Sequence, residues 1–234
     1  MRIIFLFIVF LLAYKPEFLF ATQDIKLCAT NRENIVYDVY FNEVCVGKIK
    51  YRYIGKKIIY KSLTEILHIK TNINIAPFFN LKSDEYIYLD DKTYLPLKVD
   101  RKVIFFGKKE MITEIYNQKK GYVKIYTNGF FKKTKIFYPG KPIQNILALL
   151  YCFPKDLDLD KKSFFSFIFP TNRVDIKVDA LKTLTKDGQT KNVYLIKDFL
   201  GKKFDLFLEK ETKSVIYLRV NLAFGKVFLA RRDY

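Results

Sequence analysis

The sequence predicts a mainly β protein in which one large curved antiparallel sheet, a half-barrel or open barrel, wraps a single central buried helix. Three observations carry that expectation. From Ile35 onward, strand-like runs dominate and are punctuated by Gly, Asn-Gly and Asp-rich turns. Over residues 45–53 the chain alternates, with Cys45, Gly47, Ile49, Tyr51 and Tyr53 on one face and Lys48, Lys50 and Arg52 on the other. A period of two held that long requires a half-buried strand. Within residues 142–154, by contrast, Ile143, Ile146, Leu147 and Leu150 fall at helical spacing.

In chain order, Met1-Arg2 precede an apolar run over residues 3–13. As a helix that run spans about 16 Å at ~1.5 Å per residue, roughly half of a ~30 Å hydrocarbon core. Tyr14-Lys15-Pro16-Glu17 ends it, and Leu19-Phe20-Ala21 supplies a small-residue cleavage site before Thr22. This is the anatomy of a secretory signal over residues 1–21, so the expected address is periplasmic or secreted. Residues 22–34 read as a flexible lead-in to a single β-rich domain over 35–234.

The hairpins follow. Gly55-Lys56-Lys57 predicts a turn into a strand over 58–69. Residues 84–90 and 95–103 flank Asp90-Asp91-Lys92, and 110–117 and 121–127 flank Gln118-Lys119-Lys120. Asn128-Gly129 is the strongest hairpin signal and leads into 130–137. Later, Val174, Ile176, Val178 and Ala180 alternate against Arg173, Asp175, Lys177 and Asp179, and Asp187-Gly188 turns into 191–198. Runs over 203–210, 214–222 and 226–232 close the chain. For the helix, Pro142 suits a first turn and Pro154 a stop. No charge lies between the two prolines, so the helix is expected to lie buried against the concave face, dividing about eight strands from about six.

Composition narrows the function classes. Lys and Arg number 42 against 24 Asp and Glu, a net charge of +18. Such an excess raises the question of nucleic acid. Here, however, the basic residues are mostly lysine and spread along every segment, as codon bias alone would place them, and no nucleic-acid partner is expected. Loose attraction to an anionic membrane surface is compatible with the charge, since each nearby Lys contributes about 1 kcal/mol. Cys28, Cys45 and Cys152 show no C-x-x-C spacing, which excludes a thioredoxin-type motif or zinc knuckle. They fit small core hydrophobes, with a Cys45–Cys152 bridge as the alternative.

His68 is the sole histidine and has no acidic or cysteine neighbour at ligand spacing, so it reads as a partly buried strand residue rather than a metal ligand or catalytic base. Asp156, Asp158 and Asp160 lack the central Gly and distal Glu of an EF-hand and are expected on the solvent side of a loop. The chain contains no G-x-S-x-G elbow, P-loop, G-x-G-x-x-G or H-E-x-x-H, and no tryptophan for a sugar platform. Neither an enzyme nor a cofactor is expected. Adjacent aromatics at Phe78-Phe79, Phe105-Phe106, Phe130-Phe131 and Phe164-Phe165 put one ring on each side of a strand. Where one ring is core, the other meets a helix, a cavity or a partner.

Several local patterns together resemble an exported bacterial family known as domain of unknown function 3108. Residues 37–48, an aromatic strand, short turn and glycine-bearing second strand, resemble its opening hairpin. Tyr94-Leu95-Pro96 resembles a strand start, residues 143–151 after Pro139-Gly140 its central helix, and 204–213, 215–220 and Gly225 its closing meander. The resemblance spans about residues 35–234 and implies a curved sheet around a helix, with no catalytic residues to carry over. Gln144-Asn145 and Cys152-Phe153 depart from the family's usual acidic and polar residues there.

A concave β architecture with one mouth commonly houses apolar ligands. The expected function is non-catalytic binding or carriage of a lipid or apolar envelope component, lined by Tyr51, Tyr53, Leu147, Leu150 and Tyr151. An envelope interaction or assembly module with no small ligand, whose helix plugs the concavity, is the alternative; a hydrolase with an unrecognised site is a third. N-terminal sequencing of the protein exported from a secreting host should begin at Thr22; retention of residues 1–21 on the exported protein would refute the cleavage site.

Overall fold

The alternation legible in the sequence becomes a ladder of fourteen strands. The structure is a computed structural model that describes residues 34–233 apart from 76–78, 130–131, 154–157, 162–163, 187–188, 199–202 and 224. The expected signal (1–21), most of the lead-in, Cys28, Phe78, Phe130-Phe131, Pro154, Asp156 and Asp187-Gly188 therefore lie outside the described residues. The first eight strands are β1 (Ile35–Phe41), β2 (Val44–Ile59), β3 (Ser62–Ile75), β4 (Phe79–Asp90), β5 (Pro96–Phe105), β6 (Lys108–Asn117), β7 (Tyr122–Asn128) and β8 (Lys133–Phe137). A short helix α1 (Ile146–Tyr151) follows. The last six are β9 (Phe164–Phe169), β10 (Asn172–Lys186), β11 (Gln189–Asp198), β12 (Phe204–Glu209), β13 (Val215–Leu222) and β14 (Gly225–Arg231).

Each strand pairs antiparallel with its sequence neighbour within β1–β8 and within β9–β14, which makes two meanders. One non-local pairing joins them: β1 lies antiparallel to β14, with Tyr37 opposite Arg231 and Phe41 opposite Val227. The result is one open sheet in the order β8-β7-β6-β5-β4-β3-β2-β1-β14-β13-β12-β11-β10-β9. This is the mainly β, open-barrel architecture that the sequence predicts.

Two local expectations are corrected. Gly55 does not make a turn. Its φ of +133° sits at a bulge where the β2–β3 register shifts between Tyr53 and Gly55, so the strand runs on to Ile59. The turn falls at Tyr60-Lys61, whose φ values of 51° and 66° have the sense that two-residue hairpins require. The helix is also shorter than the prolines suggested. The Ile143 backbone is held by the Gln118 side-chain amide: its N–H donates to Gln118 Oε1 at 3.0 Å and its carbonyl accepts from Gln118 Nε2 at 2.9 Å. Asn145 then caps α1, its Oδ1 accepting from the Leu147 and Ala148 amides at 3.0 and 3.2 Å.

The segment before α1 bridges the β6–β7 turn and the edge strand β9. Gly140 N–H donates to Gly121 O at 3.3 Å on the β6–β7 turn, and Gln144 N–H donates to Ile168 O at 2.6 Å on β9. Beyond it, the helix packs on β1 and β2. Tyr151 stacks on Tyr51 at 5.7 Å, Tyr51 meets Tyr37 edge-on at 5.8 Å, and Tyr37 OH donates to Val215 O at 2.8 Å. Around these rings Leu67, Ile69, Ile87, Leu89 and Val99 are almost wholly buried, giving a solid core at that end. Cys45 is exposed and Cys152 buried, and they form no bridge.

Gly47 marks a close approach. A Cβ there would lie 2.1 Å from Asn72 O and 2.8 Å from Ile73 Cα on β3. Gly47→Ala is expected to lower stability by about 1–3 kcal/mol, read as a fall in the urea midpoint with an unchanged slope.

Candidate functional site

Above the solid core the sheet encloses a cavity of about 840 Å³. Strand pleating sets its walls, because alternate residues point inward. One wall is aliphatic and aromatic, from Phe167 and Phe169 of β9, Val174 and Ile176 of β10, Leu206 of β12 and Leu218 of β13. Helix α1 closes the side toward the solid core with Ile146, Leu147, Leu149 and Leu150. The rim on the β6–β8 side carries Glu110, Lys133 and Lys135.

Of the five residues expected to line a cavity, Leu147 and Leu150 do so. Tyr51, Tyr53 and Tyr151 are not among the lining residues. Tyr51 and Tyr151 form the stacked pair beneath, and Tyr53 packs at the core's edge. The helix thus fills part of the concavity and leaves the rest hollow.

Sequence reasoning missed a charged cluster on the opposite wall. Arg101 on β5 donates through Nε to Glu85 Oε2 on β4 at 2.5 Å, and through Nη1 to Glu114 Oε1 on β6 at 3.2 Å. Ser83 Oγ donates to the second Glu85 oxygen at 2.8 Å, and Tyr116 OH to the second Glu114 oxygen at 2.5 Å. Asn145, the helix cap, reaches Tyr116 OH at 3.4 Å. Glu85 and Glu114 are only 3% and 5% exposed, so their charges depend on this pairing. Register builds the cluster: Glu85 sits directly opposite Arg101, and Glu114 is diagonal to it. A signal existed in the sequence. Glu85 is in phase with Leu81, Ile87 and Leu89, Arg101 with Val99 and Val103, and Glu114 with Ile112 and Tyr116. Charges at core phase on three consecutive strands need one another.

Burial disfavours the Arg101 charge, but Glu85 and then Glu114 outweigh it, and its pKa is raised. Burial, with Tyr37 and Glu85 adding, lifts the Tyr51 hydroxyl well above the ordinary tyrosine range. Burial followed by Glu114 does the same for Tyr116, and burial also raises Tyr37. The other flagged residues lie elsewhere. His68 bonds Asp84 Oδ1 through Nε2 at 2.7 Å and stacks on Tyr86 at 4.5 Å, away from the cavity. Asp158 pairs with Lys161 at 3.0 Å, and Asp160 accepts from Tyr194 OH at 2.8 Å, which ties the loop to β11.

No protein-family model matches the chain, and no curated protein matches it. Among solved structures it is similar to the β-barrel-like protein of domain of unknown function DUF1849 from Brucella abortus. The two share 9% identity at a TM-score of 0.51, over 85% of this chain and 94% of that one. At that identity the likeness shows the fold alone: this is a β-barrel-like protein whose structural neighbour is a domain of unknown function. The neighbour carries the number 1849, not 3108.

Arg101→Met strands two buried carboxylates and should cost about 3–5 kcal/mol in urea unfolding, with much of that recovered in the triple variant Glu85→Gln/Arg101→Met/Glu114→Gln. An unchanged Arg101→Met midpoint would contradict the pairing. The raised tyrosines predict a second effect. Unfolded tyrosine ionises near pH 10 while buried Tyr37, Tyr51 and Tyr116 keep their protons. The unfolded chain then binds fewer protons than the folded one, so stability should fall as pH climbs above about 10. Urea midpoints at pH 8 and 10.5 check the sign.

Proposed function

We propose that this is a non-catalytic binding or carrier protein for an apolar or lipidic envelope component, working in the periplasm or after secretion. The single observation that carries the reading is the hollow of about 840 Å³ left between α1 and the sheet. Its size falls within the roughly 300–1,000 Å³ typical of small-molecule sites, and its walls are mostly apolar, with the Arg101 cluster on one side and a charged rim at Glu110, Lys133 and Lys135. Leu147 and Leu150 touch the ligand, while Tyr51, Tyr53 and Tyr151 hold the helix and the wall beneath it. The scattered lysines favour transient contact with an anionic membrane during delivery. The resemblance of residues 35–234 to the exported family 3108 supports an address outside the cytoplasm.

The protein purified from an exporting host and extracted with organic solvent should release lipid at near-stoichiometric amount by mass spectrometry. Leu147→Trp, which intrudes on the hollow, should release less while keeping a cooperative melt. A clean extract, together with no saturable uptake of sixteen-carbon amphiphiles, would overturn the reading in favour of an envelope assembly module.

A further inference from the structure

Inside the cavity, the hydrogen-bond capacity of the charged cluster is unevenly spent. All four carboxylate oxygens of Glu85 and Glu114 already accept a bond, from Ser83, Arg101 twice and Tyr116. Arg101 spends Nε and Nη1 on them, and its Nη2 has no hydrogen-bond partner among the described residues. Since Arg101 lines the cavity, the unspent donors belong to its wall. Thr71, which faces Ser83 across the β3–β4 ladder and also lines the cavity, adds a hydroxyl beside them. The apolar wall of β9–β13 lies across from this group.

Resting on the carrier reading above, we infer that the cargo is an uncharged acyl amphiphile, such as a monoacylglycerol, whose ester or alcohol oxygen seats on Arg101 Nη2. The charge balance selects it. Two carboxylates and one guanidinium leave the cluster net negative, so an anionic head would enter beside two like charges in an apolar surround, where such juxtaposition costs several kcal/mol. A cationic head would have to approach the Arg101 guanidinium, which lies against both carboxylates, and would meet that like charge at close range. A neutral carbonyl or hydroxyl accepts the free N–H without adding charge, and a glycerol hydroxyl meets Thr71 and Ser83. The exposed Lys133 and Lys135 at the rim offer an anionic head a different seat, outside the cluster.

The test is competitive native mass spectrometry on the delipidated, signal-free protein, with 1-monopalmitin, palmitate and hexadecylamine at equal concentration. Monopalmitin should bind about tenfold or more tighter than either charged probe. Glu85→Gln, which removes one negative charge and keeps an acceptor for Arg101, should shrink the monopalmitin-to-palmitate ratio several-fold. Palmitate or hexadecylamine binding as well as monopalmitin overturns the inference and leaves the carrier reading standing. So does a preference for monopalmitin that Glu85→Gln leaves unchanged, or one that Lys135→Gln abolishes, because the polar head then sits elsewhere. Binding of none of the three overturns both.

Discussion

The pairing of β1 with β14 is the constraint on which the rest of the molecule depends. Without it the chain would be two meanders, eight strands and six, each with one apolar face and nothing opposite. The five register pairs between Tyr37↔Arg231 and Phe41↔Val227 set the two faces into one curve. Both walls of the cavity come from this union: the charged cluster lies on β4–β6 and the aromatic wall on β9–β13. Tyr37 reinforces it from inside, since its hydroxyl reaches β13 while its ring supports Tyr51.

Opening the sheet instead of closing it leaves two edges, β8 and β9, that do not pair with each other in the strand order. Exposed edges invite pairing with other chains. Here the segment leading into α1 answers part of that need, bonding the β6–β7 turn on one side and Ile168 on the other. The same segment delivers Asn145, which ends the stitch, caps the helix and touches Tyr116 of the charged cluster. Edge protection, helix position and polar wall are therefore mechanically one assembly.

Much of this architecture was written locally. Alternation at residues 45–53 and 173–180 identifies strands because side-chain polarity records which face is wet, and the uncharged stretch before Pro154 identifies the helix. Gly55 misleads because a bulge and a turn want the same left-handed freedom from glycine, and only the partner strand decides between them. The β1–β14 register leaves no local mark, because Tyr37 and Arg231 meet only through tertiary structure. The cavity was half legible. Leu147 and Leu150 follow from helical phase, whereas Tyr51 and Tyr151 face inward yet are spent on each other. Glu85, Arg101 and Glu114 were readable in principle, as charges in phase with core residues on successive strands. Scanning for catalytic motifs passes over them.

An interior packed solid around Tyr51 and hollow beyond α1 makes the fold thermodynamically unfinished. Apolar side chains facing a hollow gain less dispersion contact than side chains in a close-packed core. A guest that occupies the hollow meets only the folded chain, so each rise in its concentration above the dissociation constant adds to folding free energy by mass action. On the carrier reading, a loaded molecule would resist heat and proteases better than an unloaded one.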